Sequence, residues 1–364
     1  MAHLTRRDVL TSTSAALLAA ALVTRPQRGL AASTDGPVRL MGNENPYGPS
    51  PRAAEAVSAN IHRAWQYVFR EERQLASMIA ERENVSPDNV LITAGSAEAL
   101  RISALMACGN GGELVAATPT FPFLQLYARR IGATIREIPL DGRMTHDLDA
   151  MGQAISANTR LVYVCNPNNP TGTVLPPSEL RSFIETIPAD AMTVVDEAYV
   201  DLLDDPRQAS MVQLVRDEAN VLLTRTFSKI HGLAGLRVGF IIAPQPLVEK
   251  ARALRMSLGN VLSLSAAIAS YDDKEFQAFS IGKIRQAREV LYEFCDQQGL
   301  EFTVSNGNFV LVKTGQVKAF RDFLRGRKIL VGGSYAGYDD WCRISLGTVE
   351  QMHQFSKVAG EFYA

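Results

Sequence analysis

The sequence has little that could hold a metal or cross-link the chain. Its four cysteines, Cys108, Cys165, Cys295 and Cys342, are scattered, without the close pairing of a zinc site, and the five histidines lack metal-ligand spacing. A dominant charge is missing too. The 37 Lys and Arg against 38 Asp and Glu leave a net charge of −1, and no basic block offers a field for nucleic acid. Beyond the N-terminal region no apolar run is long enough to cross a membrane, and there is no internal repeat or low-complexity tract. With 46% hydrophobic and 21% charged residues, a chain of 364 suits a soluble globular protein: two domains, or one large α/β domain with a smaller partner.

The N-terminus has a pattern of its own. In "MAHLTRRDVLTSTSAALLAAALVT" the pair Arg6–Arg7 precedes a mildly apolar run of 15 residues, Val9 to Val23, and the small-residue "GLAAS" follows. Residues 1–34 therefore read as a twin-arginine export signal with cleavage near Ala31 or Ala32, the alternatives being an ordinary helix or an uncleaved anchor. Twin-arginine export carries folded proteins. The expected location is periplasmic, or cytoplasmic if the signal is not used.

From about residue 88, short β-rich runs alternate with helical patterns: "NVLIT", "ELVAA", "RLVYVC", "AMTVVDEAY" and "ANVLLTRTF", of which "ELVAA" leads into the turn "TPTFPF" and "RLVYVC" into "NPNNPTG". This predicts an α/β fold with a mostly parallel sheet flanked by helices on both faces. After about residue 245 the pattern turns to longer helical stretches and then to the runs "FTVS", "NFVLVK" and "CRISLG", which read as a smaller α+β unit. The expected organisation is a large domain over 61–245 and a small domain over 246–364, completed by the segment 35–60.

In an open parallel sheet the ligand lies beyond the carboxyl ends of the strands. The residues that follow the runs above are Ser96, Phe121, Asn169, Asp196 and Lys229. Gly95 and Ser96 in "TAGSAEAL" start a helix, which makes either an anion site or a plain N-cap. Asn169 in "NPNNPTG" is a donor to a ligand or one more turn residue. Asp196 in "VVDEAY" needs a cationic partner or serves as a cap, and Tyr199, three residues on, could share its site. Phe121 is a flat wall or simply core. In "TRTFSKIHGLAGLRVGF", Thr226, Ser228 and Arg237 surround Lys229 with the hydroxyls and guanidinium that suit a phosphate. An amine beside a phosphate cradle, a flat wall and a carboxylate for a ring nitrogen are what a pyridoxal 5'-phosphate (PLP) site requires.

With these motifs in this order, and with "GNENPYGPSP", "PTFPF" and "CRISLGT" besides, the chain resembles the class I/II, fold type I aminotransferases, in particular the histidinol-phosphate aminotransferase branch. The resemblance covers most of the chain after the signal. It implies that Lys229 joins the PLP aldehyde and later moves the proton between the substrate α-carbon and the cofactor, and that Asp196 keeps the pyridine nitrogen protonated. It implies Asn169 and Tyr199 at the phenolic oxygen, Phe121 against the ring, and Ser96, the Ala97 backbone, Thr226, Ser228 and Arg237 at the phosphate. Arg343 would take the substrate α-carboxylate and Asn45 would line the substrate entrance. The family's active site lies at a homodimer interface, and Tyr67 is the residue that would reach the partner's cofactor phosphate, although "WQYVFREE" lacks the usual Tyr-Pro pair.

One departure bears on substrate. Members that use histidinol phosphate carry a second arginine upstream of the one matching Arg343, and here "ILVGGSYAGYDDWCRIS" has Gly332 instead. The expected reaction moves an amino group from an L-amino acid, or a histidinol-phosphate-like amine, to a 2-oxo acid, with a neutral or aromatic donor favoured. The alternative is a PLP-dependent decarboxylase of the threonine-phosphate decarboxylase type.

Overall fold

The computed structural model describes residues 36–364, so the twin-arginine segment lies outside the described residues. The strands in chain order are β1 (Val38–Leu40), β2 (Val90–Thr93), β3 (Glu113–Thr118), β4 (Thr134–Pro139), β5 (Thr159–Cys165), β6 (Met192–Asp196), β7 (Val221–Thr226), β8 (Gly239–Ile242), β9 (Phe309–Lys313), β10 (Ile329–Val331) and β11 (Trp341–Ser345). Seven of them form one sheet in the order β2-β8-β7-β6-β5-β3-β4, parallel except for β8. Strands β5, β6 and β7 are buried along almost their whole length, because helices cover both faces; their sequences are near-continuous apolar runs for the same reason. Two apolar clusters, one on each face, hold this sheet.

β8 is antiparallel because only residues 227–238 join it to β7, too few for a crossover helix. That connection carries Lys229 and Arg237. Strands β2, β3, β5, β6 and β7 all point the same way, so the residues after them gather along one edge of the sheet.

The smaller unit has its own apolar cluster around two two-stranded sheets, β1 with β10 and β9 with β11. Its long helix Lys274–Gln298 starts where the Asp273 side chain accepts from the Phe276 N–H and stops at Gly299, with φ +64°. "FTVS" contributes a single bridge, Phe302 to Val312, since the Thr303 hydroxyl accepts the Leu311 N–H where a backbone carbonyl would continue the ladder.

The expected boundary at 246 is corrected. Helices Gln245–Leu254 and Val261–Tyr271 bury Val248, Ala251, Val261 and Leu264 in the clusters of the large sheet, and the small unit begins with the helix at Lys274. The sequence "VLSLSAAIASY" carries no charge and needs burial on most of its faces; it finds it against helices Pro51–Asn60 and Phe69–Glu83. The segment 35–60 is divided by the same packing. β1 joins the small unit, whereas Ala53 in helix Pro51–Asn60 joins the large one.

Candidate active site

The strand register assembles the carboxylate end of the site. Cys165 of β5 pairs with Asp196 of β6, and Asp196 with Thr224 of β7, which puts the three residues in one row on one face. Asp196 is buried, and its Oδ1 accepts from Thr224 Oγ1 at 2.9 Å and from the Ala198 N–H at 3.2 Å. Tyr163 lies two residues before Cys165 on the same face, and its hydroxyl donates to Asp196 Oδ2 at 3.3 Å. Among the described residues no cation lies within ion-pair distance of Asp196. Burial pushes its carboxyl up to about 6, against these hydrogen bonds and the more distant charge of Lys229.

Lys229 is partly buried, and its Nζ donates to the Asn43 carbonyl at 3.2 Å and lies 5.2 Å from the centre of the Tyr199 ring. Burial and the charge of Arg343 pull its ammonium down to about 8, with Asp196 opposing. The Tyr199 hydroxyl accepts from Asn43 Nδ2 at 2.9 Å and from Asn169 Nδ2 at 3.3 Å; burial holds its own proton on above the ordinary range. Asn169 Oδ1 in turn accepts from Arg343 Nη1 at 2.7 Å. Lys229, Asn43, Tyr199, Asn169 and Arg343 thus form one hydrogen-bonded chain that crosses from the large unit to the small. Arg343 Nη2 donates to the Met41 carbonyl at 2.7 Å, and its Nε is buried with no protein partner.

The other end is a cradle of donors. Helix Ser96–Cys108 is capped by Gly95, not by Ser96, so the Ser96 hydroxyl is not spent on the cap. Thr226 Oγ1 and Ser228 Oγ share a hydrogen bond of 2.8 Å, and Arg237, at φ +55°, donates to the carbonyls of Ala234 and Ala94. Gly95 has φ +80°, and a Cβ there would stand 2.4 Å from Arg237 Nη2. Only glycine lets the guanidinium lie against this turn. Phe121 is half-buried, its ring centre 4.6 Å from that of Phe123.

One expected residue of this chain's own site is placed differently. Asn45 is buried as a fold element: its Nδ2 donates to the Ile230 carbonyl and to Ser280 Oγ, and its Oδ1 accepts from the Tyr47 N–H. The residue of that segment at the site is Asn43, two positions earlier, because its left-handed backbone (φ +50°) turns the side chain towards Tyr199 and the carbonyl towards Lys229. Tyr67, expected to serve the partner's site and not this one, is 83% exposed and packs its ring near that of Phe69. No motif singles out Tyr163 or Thr224; the signal in the sequence is a polar ring two positions before the end of an aliphatic strand.

Gly332 lies beside Arg343. Its N–H donates to the Arg343 carbonyl at 3.0 Å, and a Cβ at 332 would meet that oxygen at 2.5 Å and the Arg343 Cβ at 3.5 Å. A side chain there would start out next to that of Arg343.

The family model for aminotransferase class I and II matches residues 36–358, nearly the whole described chain. The chain belongs to this family. Among relatives of this aminotransferase, the histidinol-phosphate aminotransferase of Halalkalibacterium halodurans is 37% identical over 86% of either chain. A solved candidate histidinol-phosphate aminotransferase from Erwinia carotovora atroseptica matches with TM-score 0.87 at 31% identity, over 91% of this chain and 97% of that one. The histidinol-phosphate aminotransferase of Sinorhizobium meliloti, solved with pyridoxal-5'-phosphate, shares the fold at TM-score 0.82 and 24% identity, over 89% and 91% of the two chains.

Proposed function

We propose that this PLP-dependent aminotransferase takes a neutral or aromatic L-amino acid as donor and a 2-oxo acid as acceptor, acts as a homodimer and is exported by the twin-arginine route. Transamination itself follows from the family, as does the cofactor. The residues present fit PLP on three counts. Asp196 is a buried carboxylate without a cation in contact, as a pyridinium partner should be. The Gly95 turn, Thr226, Ser228 and Arg237 bring hydroxyls, a helix N-terminus and a guanidinium together, the donor set of a phosphate site. An amine of lowered basicity stands between these two groups in the sequence of strand ends.

The observation that carries the reading is the hydrogen-bonded chain from Lys229 to Arg343. When bound, PLP supplies an aldehyde for amines and a ring that accepts electrons from the substrate α-carbon. In this reading Lys229 Nζ would be the group that takes up and gives back the substrate α-proton; an amine that titrates at about 8 can do both. Asp196 holds the proton on the ring nitrogen. Asn169 and Tyr199 would hydrogen-bond the phenolic oxygen, and Phe121 would supply a flat apolar wall. Ser96, the Ala97 N–H, Thr226, Ser228 and Arg237 hold the phosphate. Arg343 grips the α-carboxylate as a fork, for which its unpartnered Nε is one spare donor.

Gly332 supports the donor class. Without a guanidinium beside Arg343, an anionic side-chain group loses a charge-assisted hydrogen bond, a loss of ~1.5–3 kcal/mol. Exposed Ile61, Trp65, Tyr67 and Phe69 support a partner subunit on that face, with Tyr67 reaching towards the partner's phosphate site. Four buried, unpaired thiols suit a protein that folds in a reducing compartment before export.

The test is turnover of the PLP-loaded protein with a panel of L-amino acids and histidinol phosphate, each with 2-oxoglutarate, products identified by mass spectrometry. Neutral or aromatic donors should lead. Preference for histidinol phosphate by tenfold or more would reject the donor class, and release of carbon dioxide without a 2-oxo acid would reject transamination. Light scattering tests the dimer, and fractionation of cells carrying the chain or its Arg6→Lys/Arg7→Lys form tests export.

A further inference from the structure

Asp196 receives a hydroxyl on each of its oxygens, and the two hydroxyls come from different strands. Thr224 on β7 donates to Oδ1 at 2.9 Å, and Tyr163 on β5 donates to Oδ2 at 3.3 Å. Both side chains are wholly buried; the Thr224 hydroxyl is turned to Asp196, and the Tyr163 hydroxyl has Asp196 and the neighbouring Cys165 sulfur within reach. The Ala198 N–H adds a third donor on Oδ1. Every one of these contacts gives a hydrogen to the carboxylate. An ionised carboxylate can accept them all, whereas a protonated one would need an acceptor for its own hydrogen.

We propose that Tyr163 and Thr224 are positioning residues of the cofactor site, holding the Asp196 carboxylate ionised and oriented so that it accepts the pyridinium N–H of PLP. The inference rests on the reading that Asp196 meets the ring nitrogen. Hydrogen bonds to the charged form are the means by which a buried carboxylate stays ionised without an ion pair. Here they oppose the burial that raises the Asp196 carboxyl to about 6. The titratable groups facing Asp196 are Tyr163 and Cys165 from β5, Tyr199 from the turn after β6, and Lys229 from the β7–β8 connection. Burial keeps the two phenols and the thiol protonated throughout the neutral range, and Lys229 changes charge only near 8. The acid side of a binding profile therefore reports on Asp196.

The probe is pyridoxamine 5'-phosphate, whose amine cannot bond covalently to Lys229. Its affinity for the full chain freed of cofactor is measured calorimetrically from pH 5 to 8.5, with the Asp196→Asn profile subtracted to remove any contribution from the phosphate. The wild type should lose affinity towards acid with a midpoint near 6. Tyr163→Phe and Thr224→Val remove one donor each at nearly constant shape. They should move that midpoint up by about one pH unit, and Thr224→Ser should restore it. Wild-type midpoints in both variants would overturn the proposal, and so would an equal loss of affinity at every pH, the mark of a merely structural role. If Tyr163→Phe does not fold, Thr224→Val with its serine control decides. An Asp196→Asn protein that binds the probe as tightly as wild type would refute the role of Asp196 itself, and this inference with it.

Discussion

Replacing Arg225 by leucine should cost this protein about 3–5 kcal/mol of stability, and the loss should grow with pH. Arg225 lies on β7 between Thr224 and Thr226, so its side chain points away from the site, to the opposite face of the sheet. There Nε donates to Glu197 Oε2, Nη1 to Glu83 Oε1 and Nη2 to Ser210 Oγ, each at 2.8 Å. The arginine, Glu83 and Glu197 are 5%, 9% and 2% exposed, so water cannot substitute for the guanidinium. Without it two buried carboxylates lose their shared cation, and Glu197 keeps only the Ser210 hydroxyl and the Met211 N–H, the situation that makes breaking a buried ion pair expensive. The pH dependence follows from Glu197. Burial raises its carboxyl and Arg225 holds it down. In the variant it keeps its proton to higher pH, and a carboxyl raised in the folded state favours folding at acid pH and loses that benefit as pH rises through its folded value. Thermal melting of wild type, Arg225→Leu and Arg225→Lys at pH 5.5 and 8 checks this. The leucine variant should melt at least about 5 °C lower at pH 8, with a smaller gap at pH 5.5, and the lysine variant should fall between. A deficit under about 1 kcal/mol, or one equal at the two pH values, would refute the reasoning.

Gly95→Ala forces a Cβ to within 2.4 Å of Arg237 Nη2 at φ +80°, and PLP affinity, read by fluorescence titration, should fall about tenfold or more through loss of a charge-assisted contact. Unchanged affinity would remove Arg237 from the phosphate cradle. The rate at which cofactor-free protein captures PLP covalently should rise with pH and level off above about 8, as Lys229 gives up its proton; a flat profile contradicts the titration given to this amine. Arg343→Lys keeps the charge but loses the fork. It should lower kcat/KM for the best donor by roughly 10–100-fold and leave PLP affinity within about twofold.

The candidate site is legible along the chain wherever it uses a residue directly after a strand. Lys229, Asp196, Asn169, Tyr199, Ser96 and Arg237 stand at strand ends or in the one short connection, and an alternation of apolar runs with helical patterns locates those ends without coordinates. What the tertiary structure decided are relations between segments. The choice of Asn43 over Asn45 turns on a backbone angle and on where the segment crosses the β7–β8 connection. The unit boundary turns on which face an uncharged helix covers, and the helix Val261–Tyr271 covers the large sheet although it follows the point where the strand pattern ends. Tyr163 and Thr224 reach Asp196 only through the register of three parallel strands, and Glu83 reaches Arg225 across 142 positions of sequence. Local patterns carry periodicity and turn chemistry. The register between strands is set by the packing of the whole sheet, so the partners of a buried charge emerge only when the chain has folded.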